Sequence, residues 1–598
     1  MEKVNITING RKISAPAGST VLRAAQDTGI DIPTLCNHPA LAPIGVCRVC
    51  LVEVKGMPAF QPACTSLVAE GMEVQTETPP LVEARKFVLD MLFSERNHFC
   101  MYCEMSGDCE LQNLGYRYRL DHWVYPTYTK PFPMDATHQQ LLLEHNRCVL
   151  CRRCIRSCSD LTANHTLDLR KRGIEAMVQA DTNGPFGDSS CISCGGCAQV
   201  CPTGAIFDKR GAFMGPDKKM AHVQSTCSQC SLGCGTKVFT RGDIVVRVEG
   251  DWDAAVNGGR LCKKGRFDPL NEERKRLTRP LLRRRGGLEP ASWEEALQAV
   301  AEHMGAARAQ DIGVLTSSRF TNEALYQLGK LFRQEMKATN VGLLNGVAPK
   351  AFDKPQGSLA DIPKGDLILV VGVDPVKDQP VASFLVKGAV DKGARLIVVD
   401  GKDNGLAPFA HQRLEMADID KAVDMAQRAT HPVVLYGAGL SEKTANALKK
   451  LPPKAAFVAL EPGVNTRAAA AFGFQNGFKP QAAKVLYLML GEQRWDGEDL
   501  LKQAGKDAFI VVQAGYESPL TLQADVVLPA AIWSEQAGSL TNTEGRLLKI
   551  NRVLEPKGEA KPDLEIISLL ANKLGKKLAA SLDEISARAA QELKGKEN

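Results

Sequence analysis

Two alternating segments open the chain. Val4-Asn5-Ile6-Thr7-Ile8 and Arg11-Lys12-Ile13 switch between apolar and polar side chains, so each reads as a strand with one buried face, joined at the Asn9-Gly10 turn. A helix is predicted near Thr20 to Thr28, and a second, amphipathic one where Val82, Phe87, Val88, Met91 and Leu92 recur at helical spacing. Past residue 276 the pattern changes. Asp366 to Asp374, Leu396 to Asp400, Val433 to Gly437, Val485 to Leu490 and Phe509 to Gln513 are short β-rich runs between helical segments, and Ser292-x-x-Glu295 is a capping box opening one of those helices. This half therefore reads as α/β with a mostly parallel sheet, whose ligand sites would lie at the C-terminal ends of strands. Simple turn chemistry accounts for the glycines at those ends equally well. No run of about 18 uninterrupted apolar residues occurs, so no transmembrane helix is expected.

The 598 residues suggest roughly four domains. A formal charge of +6 and the basic stretch from Arg274-Lys275-Arg276 to Arg283-Arg284-Arg285 invite a nucleic-acid reading, but Glu272 and Glu273 stand among those charges and a solvated linker accounts for them better. Cysteine changes the picture. All 19 lie between Cys36 and Cys262. That distribution excludes a disulfide scaffold spread through a secreted chain, and the N-terminus carries no charged n-region followed by an apolar core. The expectation is a reduced, cytoplasmic protein.

The cysteines fall into groups. Cys36, Cys47, Cys50 and Cys64 follow the strand–strand–helix order of a β-grasp, and three thiolates on one loop with a fourth returning later suit a [2Fe–2S] cluster. Tetrahedral zinc is the alternative; the small residues Gly45 and Val46 favour the cluster, because backbone can wrap closely round sulfur there. His98, Cys100, Cys103 and Cys109 come next, and because only three cysteines stand there, the histidine is read as the fourth ligand of a [4Fe–4S] cluster. Cys148, Cys151, Cys154 and Cys158 form C-x2-C-x2-C-x3-C, and Cys191, Cys194, Cys197 and Cys201 repeat it before Pro202. In two-cluster ferredoxins the fourth cysteine of each run ligates the other cluster. On that pattern Cys201 joins Cys148, Cys151 and Cys154, while Cys158 joins Cys191, Cys194 and Cys197. Cys227, Cys230, Cys234 and Cys262 form the last group, followed by Lys263-Lys264-Gly265. With His98 the nineteen cysteines make a complete ligand set for one [2Fe–2S] and four [4Fe–4S] clusters, and loading them would bring the net charge from +6 to about −3.

Residues 1 to about 210 resemble the iron–sulfur diaphorase subunit of NAD-reducing hydrogenases through Asn97-His98-Phe99-Cys100, Cys109-Glu110-Leu111-Gln112, Met134-Asp135-Ala136-Thr137-His138 and Asn146-Arg147-Cys148. The whole chain resembles the large iron–sulfur subunit of NADH-quinone oxidoreductase and the alpha subunit of NAD-linked formate dehydrogenases. One residue separates His98 from Cys100 where the respiratory subunit usually has three, and both paired motifs are intact where that subunit usually keeps one. Both departures fit the soluble relatives better. Gly372-Val373-Asp374-Pro375, Pro462-Gly463-Val464-Asn465, Ala524 to Pro529 and Thr541 to Arg546 resemble molybdopterin-oxidoreductase motifs, and Lys264 takes the place of the lysine that lies between cluster and pterin in that family.

Other residues depart from it. Gly342 to Gly346 offers no cysteine or similar metal ligand, and Gly401-Lys402 replaces the family's Pro-Arg after the strand ending at Asp400. The chain also stops at Asn598, where such enzymes continue into a β-rich domain. There is no Walker phosphate loop, and Gly437-x-Gly439 is weak support for NAD binding.

The resemblance implies a multidomain α+β and α/β chain: a β-grasp [2Fe–2S] ferredoxin (1–78), a His/Cys3 [4Fe–4S] domain (79–138), a two-[4Fe–4S] ferredoxin (139–215), a [4Fe–4S] molybdopterin-oxidoreductase N-terminal domain (220–275), and an α/β scaffold truncated at the C-terminus and without Mo or W pterin (276–598). The expected role is relaying single electrons between a flavin- and NAD(P)H-binding iron–sulfur subunit and a second redox module, such as a hydrogenase or other reductase, in a complex that includes ferredoxin if it bifurcates electrons. No catalytic residue is assigned, nucleic acid is not an expected partner, and no direct membrane insertion is expected. The alternatives are a catalytic Mo/W formate dehydrogenase and the respiratory subunit itself.

Overall fold

A computed structural model describes residues 2–594 apart from 128–129, 345, 350–351, 353, 355, 401–402, 475–476, 506 and 580. Asn345 and the Gly401-Lys402 substitution lie outside the described residues. The chain divides into two compact units, Met1–Ala221 and His222–Asn598.

The first unit begins with the expected hairpin. Lys3–Ile8 pairs antiparallel with Arg11–Pro16. Asn9 and Gly10 both take positive φ (51° and 78°), the geometry a two-residue turn needs to match strand twist. The sheet continues through Glu73–Gln75, Leu51–Val54 and Gln61–Pro62. The helix Val21–Asp27, capped by Thr20, packs Val21, Leu22, Ala24 and Ala25 into the core.

The second helix, Pro79–Glu95, forms as its spacing predicts but buries a different face. Phe87 and Met91 of the predicted stripe are 56% and 45% exposed, whereas Arg85 and Asp90 are buried with Leu81, Leu89 and Phe93. Hydrogen bonding explains the change. The Arg85 guanidinium donates to the carbonyls of Leu51 and Thr76 and to the Tyr118 hydroxyl, and Asp90 accepts from the Val124 amide, so both side chains find polar partners inside. After the helix Glu110–Arg117 come two short helices, Arg153–Arg156 and Gly196–Gln199, one in each of the repeated cysteine runs.

The second unit opens with a three-stranded sheet of Ala221–Thr226, Gly235–Arg241 and Ile244–Gly250. Two larger sheets follow. The seven-stranded one runs in the order Gly287–Pro290, Leu281–Arg284, Val526–Pro529, Phe509–Ala514, Val485–Gly491, Ile312–Thr316, Asn340–Leu343. Its last five strands are parallel. The other sheet is wholly parallel: Gln412–Leu414, Arg395–Val399, Leu367–Val371, Pro432–Tyr436, Ala456–Ala459. Numbered along the chain its strands lie in the order 3-2-1-4-5, a doubly wound arrangement whose switch point falls between Leu367–Val371 and Pro432–Tyr436. The capping box at Ser292 is present, with Glu295 accepting from the Ser292 amide and its own amide donating to the Ser292 hydroxyl. No described helix is long and apolar enough to cross a membrane.

Candidate metal centres

Cys36, Cys47 and Cys50 sit on the loop after the first helix, and Cys64 follows the strand Gln61–Pro62. All four are buried. The Cys36 amide donates to Cys47 Sγ at 3.4 Å, and Cys36 also faces Cys64, which in turn faces Cys50. The contacts with Cys47 and Cys64 pull the Cys36 thiol far below its ordinary value, while the same contacts push Cys47 and Cys64 up. Gly45, at φ 63°, lets the loop fold over this group; a Cβ there would stand 3.2 Å from Thr65 Oγ1. The four thiols therefore form one contiguous group with backbone wrapped round it, which is the donor set a [2Fe–2S] cluster takes.

His98, Cys100, Cys103 and Cys109 line one cavity of about 330 Å³. His98 Nε2 lies 3.1 Å from the Leu92 carbonyl, which cannot donate, so this nitrogen carries the proton and Nδ1 is left for a metal. Burial holds the imidazole down at about 4, hence neutral and able to ligate. The cage is closed from the next segment by Arg147, Thr203 and Gly204. A Cβ on Gly204 would fall 2.6 Å from Cys103 Sγ, so a larger residue there would have to displace that sulfur.

The repeated runs cross over. Cys148, Cys151 and Cys154 line a cavity of about 340 Å³ with Cys201. Cys191, Cys194 and Cys197 line another of about 320 Å³ with Cys158. The two loops are built alike. Leu150 and Arg152 in the first and Ser193 and Gly195 in the second all take positive φ. At matching positions the amides of Leu150 and Ser193 each point at a sulfur, 3.4 Å from Cys148 and Cys191 respectively. Burial pushes Cys148 to about 11 and Cys191 to about 12, and holds Cys154 and Cys197 well above the usual thiol value. Metal binding would displace those protons.

In the second unit Cys227, Cys230, Cys234 and Cys262 gather between the three-stranded sheet and the short helix Lys263–Arg266. The Cys227 amide donates to the Cys234 carbonyl at 2.8 Å. Cys234 is raised by burial and then by the other three thiols, which places all four together. Lys264 Nζ donates to the Lys377 carbonyl at 2.7 Å, tying this loop to the segment after the strand Leu367–Val371. Among the described residues no three Cys, His, Asp or Glu side chains close tightly enough for a single ion. Cages lined by four sulfur or imidazole donors are suited to polynuclear iron–sulfur clusters in their donor chemistry.

Close contacts occur at the strand ends where a pterin or dinucleotide would bind. At the switch point a Cβ on Gly437 would fall 2.2 Å from Val373 Cγ1 and 3.0 Å from the Gly372 carbonyl, so the two loops touch there. Beyond the C-terminal ends of the seven-stranded sheet's inner strands, Arg276 pairs with Glu535 at 2.6 Å, and Glu492 accepts from the Trp533 amide at 3.0 Å. Arg319 there is pulled down by burial and held up by Cys230, Glu492 and Cys227.

Sequence reasoning assigned no role to this residue, nor to the buried Arg96, Arg153 and Arg156 around the first unit's cages. The signal for two of them was visible: Arg153 and Arg156 stand inside the run Cys151 to Cys158.

Comparison with known proteins matches these cages to family models one by one. Residues 1–79 match the 2Fe-2S iron-sulfur cluster binding domain, 85–123 the NADH-ubiquinone oxidoreductase-G iron-sulfur binding region, and 147–205 the 4Fe-4S dicluster domain. Residues 220–268 match the molybdopterin oxidoreductase Fe4S4 domain and 276–573 molybdopterin oxidoreductase. The 78 kDa subunit of mitochondrial NADH-ubiquinone oxidoreductase from Neurospora crassa is 28% identical across 96% of this chain and 81% of its own length. The chain is a homologue of the large iron–sulfur subunit of NADH-quinone oxidoreductases. Another relative of this NADH-quinone oxidoreductase homologue, the putative formate dehydrogenase YrhE of Bacillus subtilis, is 26% identical over 96% of the chain and 76% of its own length. A chain of an NAD+-reducing [NiFe]-hydrogenase crystal structure is 35% identical over 36% of this chain and 91% of its own, with a TM-score of 0.34.

Proposed function

We propose that this chain is the electron-relay subunit of a multisubunit NAD(P)H-linked oxidoreductase, holding one [2Fe–2S] and four [4Fe–4S] clusters on the twenty ligands named above. The crossed pair of cages, Cys201 with Cys148, Cys151 and Cys154, and Cys158 with Cys191, Cys194 and Cys197, carries this reading. Bound clusters of these types exchange single electrons over a wide range of potentials without making or breaking substrate bonds.

The chain's own residues supply thiolates, bury them, and aim backbone amides such as those of Leu150 and Ser193 at the sulfurs. Hydride chemistry needs a flavin, so the partner on one side is a flavin- and NAD(P)H-binding subunit; on the other is a second redox module. The five segments set out from sequence are the five parts of this division, and we place the complex in the cytoplasm.

The second unit acts as a scaffold without Mo or W. The packing of Val373 against Gly437 supports this, since it brings the two loops of the switch point into contact. Lys264, tied to the Lys377 carbonyl, then braces the last cluster's loop against the α/β unit instead of lying beside a pterin.

The test is to isolate the native complex and the chain alone, both anaerobically. NAD(P)H should reduce the iron–sulfur chromophores in the complex, and leave the isolated chain oxidised until a flavoprotein partner is added. Reduction of the isolated chain by NAD(P)H, or formate oxidation by it, would refute the reading.

A further inference from the structure

Among the arginines that surround the first unit's cages, Arg96 and Arg156 both donate their terminal nitrogens to backbone carbonyls, and of these two Arg156 reaches the β-grasp loop. Arg153 is also buried, but it forms a two-pronged pair with Glu110, at 2.6 and 2.7 Å, so its charge is matched by a carboxylate. Arg156 is 7% exposed, and its two terminal nitrogens donate to the carbonyls of Ala42 and Cys36, each at 2.5 Å. Among the described residues its Nε meets no acceptor.

The groups that face its charge are the Cys36 and Cys151 sulfurs and Asp160, with Arg153 opposing it; Asp160 is exposed. A buried guanidinium held by neutral carbonyls alone carries a large desolvation cost. With clusters bound, the negative charge facing it within the protein interior would come from two different cages. Cys36 belongs to the four-thiol group of the β-grasp, and Cys151 to the cavity shared with Cys201.

We propose that Arg156 is a shared counter-charge, a positioning residue that binds the [2Fe–2S] loop to the first [4Fe–4S] run and sets the reduction potentials of both clusters together. This rests on the cluster assignment above. The step it serves moves one electron: one of the two clusters loses it and the other gains it, no proton is exchanged, and Arg156 stays singly positive throughout. Because the cation faces a ligand of each cluster, it favours the reduced form of both and shifts the two potentials in the same direction. The same fork, reaching Ala42 and Cys36 from a helix in the other motif, also fixes the two cages relative to each other.

The test is an EPR-monitored redox titration of the full chain in three forms: wild type, Arg156→Met and Arg156→Lys. In Arg156→Met the reduction equilibria of the [2Fe–2S] cluster and the Cys148-group cluster should both weaken about tenfold, a fall of about 59 mV for a one-electron couple. The clusters of the Cys100 and Cys227 groups should not move. Arg156→Lys should restore most of both shifts. Unchanged potentials in an iron-replete Arg156→Met, or movement of one cluster alone, would overturn the proposal. If Arg156→Met fails to load either cluster, Arg156→Lys decides: both clusters present near their wild-type potentials supports the charge role, and equal loss overturns it. Absence of either cluster from the wild type would instead overturn the cluster assignment itself.

Discussion

Replacing Gly204 with alanine puts a methyl group where the cage of His98 has no room for one. The built Cβ would lie 2.6 Å from Cys103 Sγ, 3.4 Å from Arg147 Cδ and 3.6 Å from Met105 Cβ, whereas ordinary van der Waals contact begins at 3.4 Å. The overlap with sulfur is thus about 0.8 Å. A free thiol would swing aside, but a thiol bonded to iron has a fixed position, so the clash falls on the loaded state. Overpacking of this kind costs about 1–3 kcal/mol, which corresponds to roughly 5- to 150-fold in retention of the cluster. The assay is iron per chain together with low-temperature EPR after anaerobic purification. About four iron atoms and one [4Fe–4S] signal should be lost while the other signals persist. Gly184→Ala, where a Cβ meets nothing within 4 Å, is the control and should load fully. A full iron complement in Gly204→Ala would show that Cys103 is not held at that position by a metal.

Two further substitutions test separate parts of the account. His98→Cys should keep the cluster and lower its potential, because a thiolate adds a negative charge that an imidazole lacks; an unchanged redox titration would mean that His98 is not a ligand. Asp563 is wholly buried against Gln513, and burial raises its carboxyl to about 7. Its folded value exceeds the unfolded one, so below about pH 4 both states are protonated and there is no contribution. As pH rises the unfolded state ionises first, and stability falls until the folded group also ionises near 7. Between about pH 5 and 8 the wild type should lose on the order of 2–3 kcal/mol that Asp563→Asn does not, read as the difference in denaturant midpoints. Parallel pH profiles would refute the assignment.

Much of the candidate site was legible because thiolate spacing is a local property of the chain. A C-x2-C-x2-C run folds into one loop whatever surrounds it, and the matching positive φ values at Leu150 and Ser193 show both runs doing so. The hairpin at Asn9-Gly10 and the parallel strands were legible for the same local reason. What spacing left hidden depends on tertiary partners. Arg85 and Asp90 read as the polar face of their helix, yet they are buried because carbonyl and amide partners arrive from residues 51, 76 and 124. Arg156 reads as one more charge inside a cysteine motif until its carbonyl partners at 36 and 42 are known. Val373 reads as part of a cofactor-binding turn, and only the structure shows it packed against Gly437.

Metal analysis of the anaerobically purified chain tests the central claim most directly. Five clusters on twenty ligands predict about 18 iron atoms per chain, matching acid-labile sulfide, and Mo and W at background. Stoichiometric Mo or W, or iron replaced by zinc at the cysteine cages, would contradict it.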